Sequence, residues 1–236
     1  MAIAFDAAIS TSSAANVASL TTGAMTISGS NRIVVGGACS GAGTPVNPTA
    51  VKWGGSSGTD LTQRGATLNI GSFGKAGQWS LVAPATGSAT GYVSWGSNQD
   101  ETAVGFTSYT DVDQTTPHGT QATNTGTTDK LPTVDVTSAV GELVTDVCWH
   151  VNQAGDTTGI TAGAGQTSRV EIDQVGGSSF ESLIMSEEAG AATVTMSHTI
   201  AATASGVDWG ILGIPLKPAG AVANTRVYRL PLMGAG

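Results

Sequence analysis

The feature that most constrains this chain is the rhythm of its apolar residues, which come in short runs broken every ~10 residues by clusters of Gly, Ser, Asn or Asp. Alternation with a period of two puts successive side chains on opposite faces of a strand, and turn residues at this spacing leave no room for helices of ordinary length. No segment carries apolar residues at helical spacing. The pattern predicts strands over 3–5, 24–28, 32–39, 50–53, 61–66, 77–83, 89–95, 101–109, 133–137, 142–151, 167–172, 178–185, 192–199 and 206–216. The expected class is all-β, an antiparallel β-sandwich that is jelly-roll-like, with an extended C-terminal arm. A double-layered core across residues 1–217 forms one domain in this reading, and 218–236 forms the arm. Residues 113–129 lack apolar alternation and read as a surface loop, and no repeat of fixed period argues for a propeller or solenoid.

A core of this size needs neither metal nor disulfide to fold, so stability implies no cofactor. Charged residues make up only 11 % of the 236, and 33 glycines with many Ser, Thr and Ala take their place. Nine basic against 17 acidic residues give a net charge of −8, which predicts no general attraction to nucleic acid or to an anionic membrane. The charge is unevenly placed. All 17 acids and six of the bases precede Lys217, a net of −11, whereas 217–236 hold Lys217, Arg226 and Arg229 with no acid, a net of +3. There is no basic segment followed by an apolar stretch and cleavage site at the start, and no run approaches ~18 apolar residues. Export and membrane insertion are therefore not expected. Cys39 and Cys148 read as free thiols of a protein assembled in a reducing cytoplasm, with a bridge between them left open.

Motifs with chemical meaning are sparse. Gly54-Gly55-Ser56-Ser57-Gly58 matches the nucleophile-elbow spacing, but that chemistry needs a strand-to-helix turn and here another strand follows. His118, His150 and His198 lie far apart without metal-ligand spacing. Asp111 and Asp113 supply too few oxygens for calcium, and Glu187-Glu188 read as a solvated hairpin turn. Five tryptophans raise the alternative of a sugar-binding platform, yet each shares its strand face with aliphatic residues: Trp53 with Val51, Trp79 with Leu81, Trp95 with Val93, Trp149 with Val147 and Val151, Trp209 with Val207 and Ile211. That parity predicts core rings.

Gly105-Phe106-Thr107-Ser108-Tyr109 through Asp113-Gln114-Thr115-Thr116-Pro117-His118-Gly119, Ala164-Gly165-Gln166-Thr167 and the run Trp209 to Pro218 resemble a β-sandwich module of phage virion proteins and bacterial surface proteins. The resemblance spans most of 3–218 and brings no catalytic residues. It implies a phage virion structural protein, a capsid decoration or cement-type component or a tail-associated one. Its partners would be copies of itself and other virion proteins, and its location the virion, assembled in the host cytoplasm. The alternative is a glycan- or receptor-binding module of a fibre or surface protein; an enzyme is the third reading. Pro218 to Asn224 form a flexible connector leading to a short basic and apolar segment. Docked on a neighbour, Arg226 and Arg229 would pair with acids while Val227, Tyr228, Leu230 and Leu232 fill apolar pockets.

Overall fold

The computed structural model describes residues 2–41, 43–152, 159–175, 180–201 and 207–220. Its first half contains β1 (Ala4–Ser13), β2 (Val17–Ile27), β3 (Ile33–Gly41), β4 (Ala50–Trp53), β5 (Thr59–Asp60), β6 (Thr62–Gln63), β7 (Leu68–Ile70), β8 (Gly74–Val82), β9 (Gly87–Gln99) and β10 (Glu101–Thr110). The second contains β11 (Ala122–Gly126), β12 (Thr133–Thr137), β13 (Leu143–Asn152), β14 (Ile160–Ala162), β15 (Thr167–Val175), β16 (Phe180–Ala189), β17 (Thr193–Ile200) and β18 (Asp208–Leu216). The chain is all-β, and no helix among the described residues is long and apolar enough to cross a membrane.

The strands form four antiparallel sheets, ordered β1-β10-β3-β8-β6 with β7 also on β8, β2-β9-β4-β5, β11-β18-β13-β16-β15, and β12-β17-β14. If β1, β2, β3, β4, β5, β8, β9 and β10 are counted as strands one to eight, the first half reads 1-8-3-6 and 2-7-4-5, the order of a jelly roll. The second half, counted from β11 to β18, reads 1-8-3-6 and 2-7-4, its fifth strand, β15, lying beside β16 instead. In the first half β6 and β7 hold that same place beside β8. The double-layered core expected from apolar alternation is thus built twice, with one topology.

Three apolar clusters set the layer order. Met25, Val51, Trp53, Val93 and Trp95 of the β2 sheet pack on Val34, Ala38, Val104 and Phe106 of the β1 sheet. The opposite face of that sheet, with Ile33, Val35, Cys39, Ala103 and Tyr109, packs on Val147, Trp149, Leu183, Met185 and Leu212 of the β11 sheet. The far side of the β11 sheet, with Val144, Cys148, Ile184 and Ile211, meets Val134, Val136, Val194 and Met196 of the β12 sheet. Burial follows from position. The inner strand β3 is buried at every residue, as sheets covered on both faces require, whereas β12 buries Val134 and Val136 and turns Asp135 and Thr137 outward. Glycine lets the inner sheets approach: a Cβ on Gly105 would lie 2.6 Å from the Met185 sulfur, and one on Gly37 2.9 Å from it.

Across the central interface β1 lies over β15 and β7 over β11. Because β1 corresponds to β11, and β7 to β15, these are one contact seen from either half. The halves therefore pack about a local two-fold, in the manner of an isologous dimer.

The structure corrects several expectations. Residues 122–126, inside the expected surface loop, form β11; its exposed Thr123, Asn124 and Thr125 carry no apolar alternation because it is an edge strand. β1 runs on to Ser13 and β2 begins at Val17, through Ser- and Thr-rich sequence that gave no signal. Glu187 and Glu188 sit within β16 and not in a turn. The assembly residues Arg226, Val227, Tyr228, Arg229, Leu230 and Leu232 lie outside the described residues.

Candidate assembly surface

Each residue singled out for chemistry has a place in the fold. Ser56 lies in the turn from β4 to its antiparallel partner β5, where Gly54 and Gly55 take positive φ and both donate to the Thr90 carbonyl, so no helix follows it. The Asp113 carboxylate accepts the backbone N–H groups of Thr115 and Thr116 at 2.7 and 2.8 Å, which closes a turn. Glu187 is buried and holds Arg169, whose guanidinium lies 3.9 Å over the Phe5 ring. No group of three or more His, Cys, Asp or Glu side chains among the described residues converges to hold a metal. All five tryptophans are buried, each in the cluster its strand parity assigns. Trp53 lines an open groove, about 430 Å³ in volume, between the Leu81–Ala89 turn and β4, and it is only 6 % exposed there.

The three histidines are dispersed. His118 Nε2 is 2.8 Å from Ser80 Oγ, which also accepts Arg64 Nε at 2.7 Å. Burial, with Arg64 and Lys217 nearby, pushes its pKa down to about 4. His150 is enclosed in β13 and burial alone lowers it to about 4. His198 Nε2 contacts Asp146 Oδ2 at 2.6 Å, both side chains fully buried. The sequence reading missed Asp146, whose one signal was a carboxylate set inside the apolar run Leu143–Asn152. It also missed Glu181, buried against Gly41, with one carboxylate oxygen that has no hydrogen-bond partner among the described residues and with the charges of Glu101 and Asp100 acting on it.

Cys39 and Cys148 are both free and buried. Burial, aided by Glu181 at Cys39 and by Asp146 at Cys148, raises both thiols well above their ordinary range. A thiol-directed alkylating reagent at pH 7.5 is expected to leave the native protein unmodified and to label both cysteines once it is unfolded, read by intact mass. Fast labelling of the folded protein would contradict this burial.

The connection between the halves is tied to both: Gln121 Nε2 donates to the Arg64 carbonyl, Gly119 N to the Pro215 carbonyl, and Lys217 N to the Pro117 carbonyl. The last described residues are held as well, with Asp113 N donating to Lys217 O at 2.9 Å and Ala219 N to Asp111 O at 2.7 Å. The chain thus reaches the basic segment from a fixed point beside Asp111. No protein-family model matches this chain, and no curated protein matches it. The described residues present sheet edges, two outer sheets and a departure point held by hydrogen bonds at Lys217–Ala219.

Proposed function

We propose that this chain is a structural protein of a phage virion, of capsid-decoration or tail-associated type, that acts by packing against copies of itself and other virion proteins and not by catalysis. The observation that carries the reading is the pinned departure of the chain at Lys217–Ala219, which delivers a basic, apolar segment from an anionic body at a defined position. Docking that segment on a neighbour would add charge complementarity and apolar anchors, and repetition about a symmetry axis would close an oligomer. Jelly rolls suit the task because a covered core leaves loops and edges free to specify partners.

Deleting residues 221–236 is the direct test. The truncated protein is expected to keep its melting temperature, since the described hydrogen bonds up to Ala219 remain, and to lose oligomer mass in light scattering and binding to the assembled particle. Unchanged mass and unchanged particle binding would overturn the reading. A glycan-binding role is less supported, because no tryptophan among the described residues offers an open ring face.

A further inference from the structure

We infer that the groove beside Trp53 is the seat of residues 227–233 of a second copy of this chain. The inference rests on the reading that this segment docks on a neighbour, and it names the surface that receives it. The groove measures about 430 Å³, within the range of clefts that hold a ligand, and Trp53, Leu81, Val82, Pro84, Ala85 and Ala89 give it an apolar lining. Two other open grooves lack that character: one, at β11 and β12, is lined mainly by Thr, Asn and Asp, and the other, beside β7, holds Lys75, which repels a basic segment.

The chain departs toward residues 221–236 at the same end of the first jelly roll. Ala219 N donates to Asp111 O at 2.7 Å, Asp111 N to Ser30 O at 3.1 Å, and Ala83 N to Arg32 O at 2.9 Å, while Arg32 Nε donates to Pro84 O at 3.0 Å. Adjacent strands lie about 4.8 Å apart, so these three steps place Ala219 roughly 15 Å from Ala83 in the groove wall. Residues 220–226, extended, span up to about 23 Å and can carry Val227 past that wall. Because departure and seat share one end, two copies meeting there about a two-fold would each offer a segment and a groove to the other. Backbone strain marks the same place. Asn31, Ala83 and Asp111 are the non-glycine residues of positive φ among those described, at 48°, 51° and 59°, and such strain gathers where a ligand is gripped.

The segment's own sequence suits a groove better than a sheet edge. Pro231 has no N–H to give a ladder, and it biases Leu230 before it toward extended backbone. An extended segment puts Tyr228, Leu230 and Leu232 on one side and Arg229 on the other. Three apolar side chains then enter the cleft. Arg229 is left outside it, and Asp60, which follows the groove residue Thr59 and is largely exposed, supplies a carboxylate for it.

The test uses the full chain. Sedimentation over a range of concentrations is expected to show association that the double variant Ala85→Arg with Ser88→Arg weakens by about tenfold or more, by filling the groove and setting like charge against Arg226 and Arg229. Both positions are exposed, so the melting temperature should hold. Hydrogen exchange of the wild-type protein supplies a readout independent of any variant: amides of residues 81–89 should slow as concentration rises. Association that the arginines leave unchanged overturns the seat. So does protection over 81–89 that stays the same at every concentration, which would mean that the segment folds onto its own groove or never reaches one. A wild-type protein that remains monomeric throughout overturns it as well. The role of residues 221–236 in binding the assembled particle is decided separately, by the deletion.

Discussion

Replacing Asp146 with alanine is expected to lower the unfolding free energy by about 3–5 kcal/mol, the cost of removing a buried carboxylate from the several polar groups hydrogen-bonded to it. Its Oδ1 accepts the Ser186 N–H at 2.7 Å and the Ser186 hydroxyl at 2.9 Å, and its Oδ2 holds His198 Nε2 at 2.6 Å. Ser186 Oγ in turn accepts Gln166 Nε2 at 2.7 Å, and Gln166 Oε1 takes the Ser197 N–H at 2.7 Å. One carboxylate therefore joins β13, β16, β17 and the turn before β15, inside an otherwise apolar layer. Alanine would leave a ring nitrogen, a hydroxyl and an amide dry and unsatisfied together. Asn, which keeps an acceptor for Ser186, should cost less. Denaturant unfolding followed by tryptophan fluorescence measures both, and a loss under about 1 kcal/mol for alanine would mean that water reaches this network.

The second large effect concerns pH. Burial first, then Glu101 and Asp100, raise the Glu181 carboxyl well above its ordinary value, so the fold prefers it protonated. Its stabilising contribution is full below the unfolded pKa and is lost as pH rises toward the folded one, at up to about 1.4 kcal/mol per pH unit. His150 has the opposite sign. With its pKa lowered from 6.5 to about 4, the unfolded chain takes up a proton that the fold refuses, so stability is complete above 6.5 and falls as pH drops toward 4. His118 acts in the same direction, discounted because it is partly exposed. The two signs therefore oppose each other from 4.5 upward to 6.5, where rising pH removes the histidine penalty and at the same time ionises Glu181 at a cost. Glu181→Gln is expected to raise stability at neutral pH and to leave the histidine-driven loss below 6.5 unopposed, so that it falls more steeply with acid than in the wild type. A variant whose pH profile overlays the wild type would show that Glu181 already has a counter-charge in solution.

Much of the architecture was legible where burial is one-sided. The Thr133–Thr137 strand and the Ala50–Trp53 strand were expected at their observed bounds, since alternation marks one buried face. Tryptophan parity placed all five rings for the same reason. Edge strands escaped: β1 beyond Phe5, the first half of β2, and β11 bury too little to imprint a pattern. The duplication was hidden for another reason. Corresponding strands share a topology but no constant offset, with β3 and β13 starting 110 residues apart, β8 and β16 106, and β2 and β12 116. At the start of β3 and β13 only the middle residue coincides, Ile33-Val34-Val35 standing where the second half has Leu143-Val144-Thr145. Asp146 and Glu181 were unreadable because a carboxylate in a strand is solvated unless tertiary packing encloses it, and only the stacking of four layers does that.

That stacking also limits where such a protein can change. The inner strands of the two middle layers have little or no solvent-facing side on which substitutions are free, so a new residue there must satisfy neighbours above and below at once. Diversification toward a different host structure would have to be written on the hydroxyl-rich outermost strands, the rims and the connecting loops, with the glycine-lined middle held constant as their common chassis.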